Sequence, residues 1–182
     1  MALFMCNTSN IHEMKFGRPQ SVILADAMPN GAIVTLGAVQ DDKEGDHLHS
    51  AVAGASVIGK FIVVAPEINA QQYRTIDGQI GKFVLEAGEA YSAYMLQKHD
   101  RIEYSDAYFA ELPAKGDKVN PKAKDVNGAV FAKGGAALEV VSVRELWLPV
   151  VLQANIEGAQ GAGNPAKLMP ESCKMVKLEV IA

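Results

Sequence analysis

Cysteine is scarce. Cys6 and Cys173 stand near opposite ends of a 182-residue chain, without metal-type or redox-type spacing, which excludes a disulfide-stapled secreted scaffold and points to a reduced, cytosolic origin. A bridge pinning the two ends together stays open at this point. Basic clusters are also missing. Lys and Arg occur only as scattered pairs and the formal net charge is −4, so the footprint that phosphate neutralisation requires is lacking and no direct nucleic-acid partner is expected. Long apolar runs are absent too. The longest, FIVVAP at Phe61–Pro66, is far too short to cross a bilayer, and no membrane association is expected. The start, MALFMCNTSNIHEMKFGRP, has no basic opening followed by a sustained apolar stretch, so no secretory signal is read and the product is expected to stay soluble inside the cell that makes it. No internal repeat is visible.

What is present describes a globular chain. Hydrophobic residues make up 49% and charged residues 21%, far from the regime of disorder, and the length suits one domain, or one domain with an arm. The apolar segments are short and β-branched. SVILAD (Ser21–Asp26) and AIVTLGAV (Ala32–Val39) flank AMPNG, where Pro29, Asn30 and Gly31 supply turn geometry, so two adjacent strands joined tightly are predicted. GKFIVVAP is the next strand, ending at Pro66. GAVFAK (Gly128–Lys133), ALEVVSVRELWLPVVL (Ala137–Leu152) and the terminal MVKLEVIA complete the set. In the last, Val176, Leu178 and Val180 share one parity and Lys177, Glu179 and Ile181 the other, as a half-buried strand requires. Between Leu138 and Leu148 neither parity is wholly apolar, which predicts a bulge or bend.

Helix competes over QQYRTIDGQIGKFVLEAGEAYSAYML, where Tyr73, Ile76, Ile80, Phe83, Ala87, Tyr91 and Tyr94 recur at three or four. Gly78, Gly81 and Gly88 oppose it, each at about 1 kcal/mol relative to alanine. One short helix around Ala70–Leu85 is what remains. Polar, turn-forming breaks fall at Asp41–Ser50, Pro113–Gly128 and Ala154–Ser172, the last long enough to be mobile or held by a neighbouring molecule.

Candidate chemistry is sparse. DDKEGDHLHS offers His47 and His49 beside Asp41, Asp42, Glu44 and Asp46, ligand types for a divalent metal in a spacing that fits no defined site. EAGEAYSAYMLQKHDRIEYS and the residue after it gather Glu86, Glu89, His99, Asp100, Glu103 and Asp106, the types that paired carboxylates or a histidine base would use; read as strand, turn, strand, the stretch puts Tyr91 and Tyr94 on opposite faces, Ile102 and Tyr104 on one parity, Lys98–Asp100 at the turn, and its carboxylates on the surface. Ser92 and Ser105 lack a nucleophile elbow, and GAQGAG at Gly158–Gly163 precedes no helix, which removes the dinucleotide reading. KGD at Lys115–Asp117 reads as a turn entering a strand at Lys118. Trp147, alone in a long strand, reads as core. The first residues are the most telling. Leu3, Phe4, Met5, Ile11, Met14 and Phe16 are apolar but irregularly spaced among Asn7, Thr8, Ser9 and Asn10, satisfying neither helical nor strand period, so an extended arm ordered on another chain is expected.

MPNGAIVTLGAV, then FIVVAPEI, then DGQIGKFVLEAGEAYSAYMLQKHDRIEYSDAYF, then LPAKGDKVNPKAKDVNGAV resemble the auxiliary capsid, or decoration, proteins of tailed bacteriophages. Ala87, Gly88, Tyr94, Leu96, Asp100, Ile102 and Ser105 match one family phrase and Gly116, Asp117 and Val119 a second, over Ala27–Val130 in all; His99 stands where the family usually has glycine. The resemblance implies no catalysis and no cofactor. It implies a virion protein on the outer face of the capsid, made in the host cytoplasm, with the major capsid protein and copies of itself (a dimer or trimer) as partners.

The expected fold is therefore mainly β, a β-sandwich or small β-barrel with an extended N-terminal arm (residues 1–19), a single β-rich domain (residues 20–182) carrying the long loop 154–172, and at most one short helix. Leu3, Phe4, Ile11, Met14 and Phe16 are the expected capsid or subunit contacts. The leading rival is a small β-barrel enzyme or ligand-binding protein using the His47/His49 loop, distinguishable by metal analysis; a second is a host-binding fibre or adhesin module.

Overall fold

The computed structural model describes residues 5–17, 19–41, 47–53, 61–65, 84–122, 130–151 and 168–181; the side chains of several residues within helix and strands, Phe16, His47 and Trp147 among them, lie outside the description. The first half carries β1 (Cys6–Asn10), helix α1 (His12–Phe16), β2 (Gln20–Leu24), β3 (Met28–Pro29), β4 (Ile33–Asp41), β5 (His47–Ala53) and β6 (Phe61–Val63). The second carries β7 (Val84–Leu85), β8 (Ala90–Met95), β9 (Arg101–Ser105), a 3-10 turn (Asp106–Tyr108), β10 (Lys118–Pro121), β11 (Phe131–Lys133), β12 (Leu138–Val151) and β13 (Leu168–Val180). The described chain is thus mainly β with one short helix.

Five strands pair in the order β2-β5-β4-β6-β8, with β8 back against β2; β2 and β5 are parallel and the other pairs antiparallel. Six more form a sheet in the order β1-β9-β13-β12-β10-β11. Alternation along the five-stranded set divides its side chains between two cores. Val34, Val63 and Ala93 join Val22, Leu24, Ala51 and Leu85 in one cluster. Their chain neighbours Ile33, Ile62 and Tyr94 face the other way, into a second cluster with Ile102, Tyr104, Leu138, Val176 and Leu178 of the six-stranded sheet. Strand period therefore does two jobs in the same three strands: odd and even residues are both buried, which explains why FIVV and AIV read as continuous apolar runs. Each fully buried Val, Leu or Ile contributes about 1.5–3 kcal/mol relative to exposure, so the interface between sheets is as much a core as either interior.

Several expectations hold. Val176, Leu178 and Val180 are buried while Lys177, Glu179 and Ile181 are only partly so. The change of face in the long strand is a register shift between Val140 and Ser142. Tyr91 and Tyr94 lie in different clusters, and Ile102 and Tyr104 in one.

Others are corrected. β2 and β4 are not neighbours, because β5 lies between them. AMPNG is no simple hairpin turn: Met28–Pro29 leaves to pair with Val84–Leu85 before β4 begins. The strands either side of Lys98–Asp100 do not pair with each other either, since β8 belongs to the five-stranded set and β9 to the six-stranded sheet. The described helix is at His12–Phe16; of the range Ala70–Leu85 where one was expected, Val84–Leu85 is strand and the rest lies outside the described residues. The long loop is shorter than read, because β13 begins at Leu168; residues 152–167 lie outside the description. Finally, residues 5–17 are no free arm. β1 pairs with β9, and Ile11 is completely buried. Neither period was visible because a bulged strand gives way to a helix within a few residues, at Ile11.

Candidate functional site

Polar and ionisable side chains of interest gather at three places. The first is the face of the six-stranded sheet turned away from the five-stranded set. Asn7, Glu103 and Lys177 share one level across β1, β9 and β13. Glu103, expected on the surface, is 9% exposed. Its Oε2 accepts from Arg144 at 2.9 Å and from Asn7 Nδ2 at 3.3 Å, and its Oε1 lies 3.8 Å from Lys177 Nζ. A carboxylate taken largely out of water requires this kind of company. The arrangement ties four strands together, and each Glu103 oxygen is committed to a partner.

The second is the crossing from β8 to β9. Asp100 is 4% exposed, not at the surface. Its Oδ1 accepts from the His12 N–H at 2.9 Å and its Oδ2 from the Gln97 N–H at 2.8 Å. One buried carboxylate therefore closes the turn and caps α1. His99 has φ of 72°, the sole described non-glycine residue with positive φ, so it adopts the backbone that glycine takes at such turns. Its ring Nδ1 lies 3.0 Å from Glu179 Oε1, and Arg101 Nε donates to Glu179 Oε2 at 2.8 Å. Hydrogen bonding from His99 first, and from Arg101 second, holds the Glu179 carboxyl below its ordinary value. The His99 N–H donates to the Val180 carbonyl and the Val180 N–H to the Asp100 carbonyl, fastening the crossing to the end of β13.

The third is the Asn30–Gly31 turn, which is buried between the two sheets. Asn30 Nδ2 donates to the Ala65 carbonyl and Asn30 Oδ1 accepts from the Ala65 N–H, both at 3.0 Å. The Tyr104 hydroxyl donates to the Gly31 carbonyl at 2.9 Å, and the Tyr108 hydroxyl donates to that of Asn30. Tyr104 also meets Phe131 edge-on, with ring centroids 4.7 Å apart. Burial above all pushes the Tyr104 phenol well above its ordinary value, so it stays a neutral donor. Tertiary packing was needed to find this joint: the NG pair signals a turn, and nothing local signals that two tyrosines some 70 to 80 residues later reach back to it.

Of the residues expected to form a contact surface, only the side chains of Ile11 and Met14 are described. Leu3 and Phe4 lie outside the described residues, as does the Phe16 side chain. Ile11 belongs to the chain's own core, and Met14 is 37% exposed on α1. In the expected metal loop, residues 42–46 and the His47 side chain lie outside the description; His49 Nδ1 is 3.3 Å from the Gly37 carbonyl. Among the described residues no group of three or more His, Cys, Asp or Glu is placed to hold a metal. The two cysteines are not joined. Cys6 is level with Tyr104, which is level with Val176, so β1 and β13 are two interstrand spacings apart, about 9–10 Å, too far for a disulfide. Lys115–Asp117 is a turn leading into β10, with Gly116 at φ 87° and Asp117 Oδ2 accepting from the Ala114 N–H at 2.9 Å.

Comparisons with protein-family models, with curated proteins and with solved structures return no match for this chain.

Proposed function

We propose that this chain is a non-enzymatic virion protein of a tailed bacteriophage, binding the outer face of the assembled capsid and stabilising its lattice, with the major capsid protein and further copies of itself as partners. We read its five-stranded set as a small β-barrel packed on the six-stranded sheet. The observation that carries the functional reading is the succession of sequence phrases over Ala27–Val130 that resemble decoration proteins.

The positions of those phrases in the fold support it. MPNG is the buried joint between sheets, Asp100 fastens the crossing from β8 to β9, and Gly116–Asp117 turns the chain into β10. His99 in place of the family's glycine keeps a glycine-like backbone, with φ of 72°. The carboxylates at Asp100 and Glu103 are committed to holding strands together. A stiff body of this kind suits a protein whose task is to keep its shape on a repeating shell, where many copies multiply individually modest contacts. Leu3, Phe4, Met14 and Phe16 remain the proposed contacts; Ile11 is withdrawn from that set, since it is already enclosed by its own fold.

The experiment is co-sedimentation of the purified protein with intact capsids of its phage. Binding in a copy number that matches lattice positions is the expected result, with loss of binding and an unchanged unfolding midpoint for the triple variant Leu3→Ser, Phe4→Ser, Met14→Ser. Failure to bind, or turnover of a small-molecule substrate dependent on His47 and His49, would overturn the reading. Deleting residues 1–17 is the wrong test, because it also removes β1 and Ile11.

A further inference from the structure

The Asn30–Gly31 pair that makes the buried turn is also the dipeptide most prone to deamidation, because glycine puts no side chain in the way of its own nitrogen. In that reaction the Gly31 backbone nitrogen attacks Asn30 Cγ. An N–Cγ bond forms, the Cγ–Nδ2 bond breaks, and ammonia leaves with the proton that the Gly31 nitrogen gives up. Water then opens either C–N bond of the imide. One cut leaves aspartate; the other, at the original peptide bond, leaves isoaspartate, with the chain rerouted through the side-chain carbon.

The fold encloses this labile pair and ties both reacting groups. Asn30 is 4% exposed. Its Nδ2 donates to the Ala65 carbonyl and its Oδ1 accepts from the Ala65 N–H, both at 3.0 Å. The Gly31 N–H, which must lose its proton to become the nucleophile, donates to the Val63 carbonyl at 2.9 Å. Nucleophile and target are thus bound to different residues, Val63 at the end of β6 and Ala65 just beyond it, while the Tyr108 and Tyr104 hydroxyls hold the Asn30 and Gly31 carbonyls. The products do not fit the same place. In aspartate an oxygen replaces Nδ2 and faces the Ala65 carbonyl, acceptor against acceptor, with a charge buried beside it. Isoaspartate adds a backbone carbon ahead of Gly31, where Cys6 already leaves no room for a Cβ.

We propose that Asn30 is a modification site gated by the fold: it deamidates only through opening of the joint between the sheets, and a chain that has reacted cannot close that joint again. Loss of the fold then becomes irreversible through a covalent step. The inference is independent of the capsid reading, since purified protein alone tests it.

The test is peptide mapping of the full chain, with mass and isoaspartate content read at position 30, after incubation in mildly alkaline buffer with and without urea. Unfolded protein should react there as readily as at its second Asn-Gly pair, Asn127–Gly128, whereas native protein should react at position 30 at least about a thousandfold more slowly. Tyr104→Phe, which removes one tie of the joint, should raise the native rate at position 30 by about tenfold and leave the rate in urea unchanged. When urea-aged protein is diluted into buffer, chains that regain the native elution volume should carry intact asparagine at position 30, and the modified chains should be confined to the remainder. Asn30→Asp, made genetically, should fail to fold or unfold at a lower urea concentration than wild type. Native protein that reacts at position 30 at the unfolded rate, refolded chains as rich in the modified residue as the unfolded pool, or an Asn30→Asp variant as stable as wild type would each overturn the proposal.

Discussion

Gly31 is held in place by two separate constraints. Its φ is 81°, a region that costs an L-residue roughly 1–2 kcal/mol, and a Cβ there would lie 2.4 Å from Cys6 Sγ and 2.8 Å from Cys6 Cβ. Gly31→Ala is therefore expected to lose about 3 kcal/mol, the sum of backbone strain and overpacking, as measured by urea unfolding. A loss under 1 kcal/mol would show that Cys6 moves aside without cost. His99 presents the converse case. His99→Gly and His99→Ala both discard the ring that meets Glu179, yet only alanine keeps a Cβ at φ of 72°, so the glycine variant should be the more stable of the two by about 1 kcal/mol. Equal stabilities would contradict the left-handed assignment. At this scale the NG pair was legible from residue order, while the unusual backbone of His99 was not, because glycine and asparagine, more than histidine, are the residues that signal such a position.

Among the elements, β1 and α1 show how a segment without visible period becomes integral. Ile11 sits in the shared core with Ile102 and Tyr104, so Ile11→Ala should cost about 2–5 kcal/mol, whereas Met14→Ala, three residues on and 37% exposed, should cost much less. Comparable effects at both positions would count against the packing described. The joint between the sheets is tested by Tyr104→Phe, which leaves the Gly31 carbonyl without its phenol donor and should destabilise by about 1–3 kcal/mol in chemical denaturation. Strands were readable from the sequence wherever one residue in two is apolar, as in β13. They were also readable where both parities are buried, as in β6. Partnership was not, because β-branched runs carry no record of which neighbour completes their ladder: β2 and β4 look like a hairpin and are separated by β5.

For the molecule as a whole, two exposed ion-pair systems set the response to acid. Glu179 is held below its ordinary value of 4.5 by His99 and then Arg101, and Asp117 below its ordinary value of 3.8 by the Ala114 N–H and then Lys133. A carboxyl depressed in the folded state adds stability that is fully present above its unfolded value and disappears as pH falls through the folded one. The thermal midpoint should therefore hold steady above about pH 5 and fall below it. The double variant Glu179→Gln, Asp117→Asn should flatten that decline, and added salt should shrink the difference between the two proteins. An unchanged slope in the variant would place acid sensitivity elsewhere.

Residue order alone settles that this chain builds strands and that Asn30–Gly31 turns, because alternation and glycine's backbone freedom are local properties. It also carries the phrases on which the capsid reading stands. The folded chain decides the rest: that β8 and β9 part company at His99, that Asp100 and Glu103 are enclosed and not solvated, that Ile11 is core, and that tyrosines from β9 and the following 3-10 turn close over the Asn30–Gly31 carbonyls. Those outcomes depend on contacts between residues far apart in the chain, and burial is a property of the neighbours that a residue acquires, not of the residue itself.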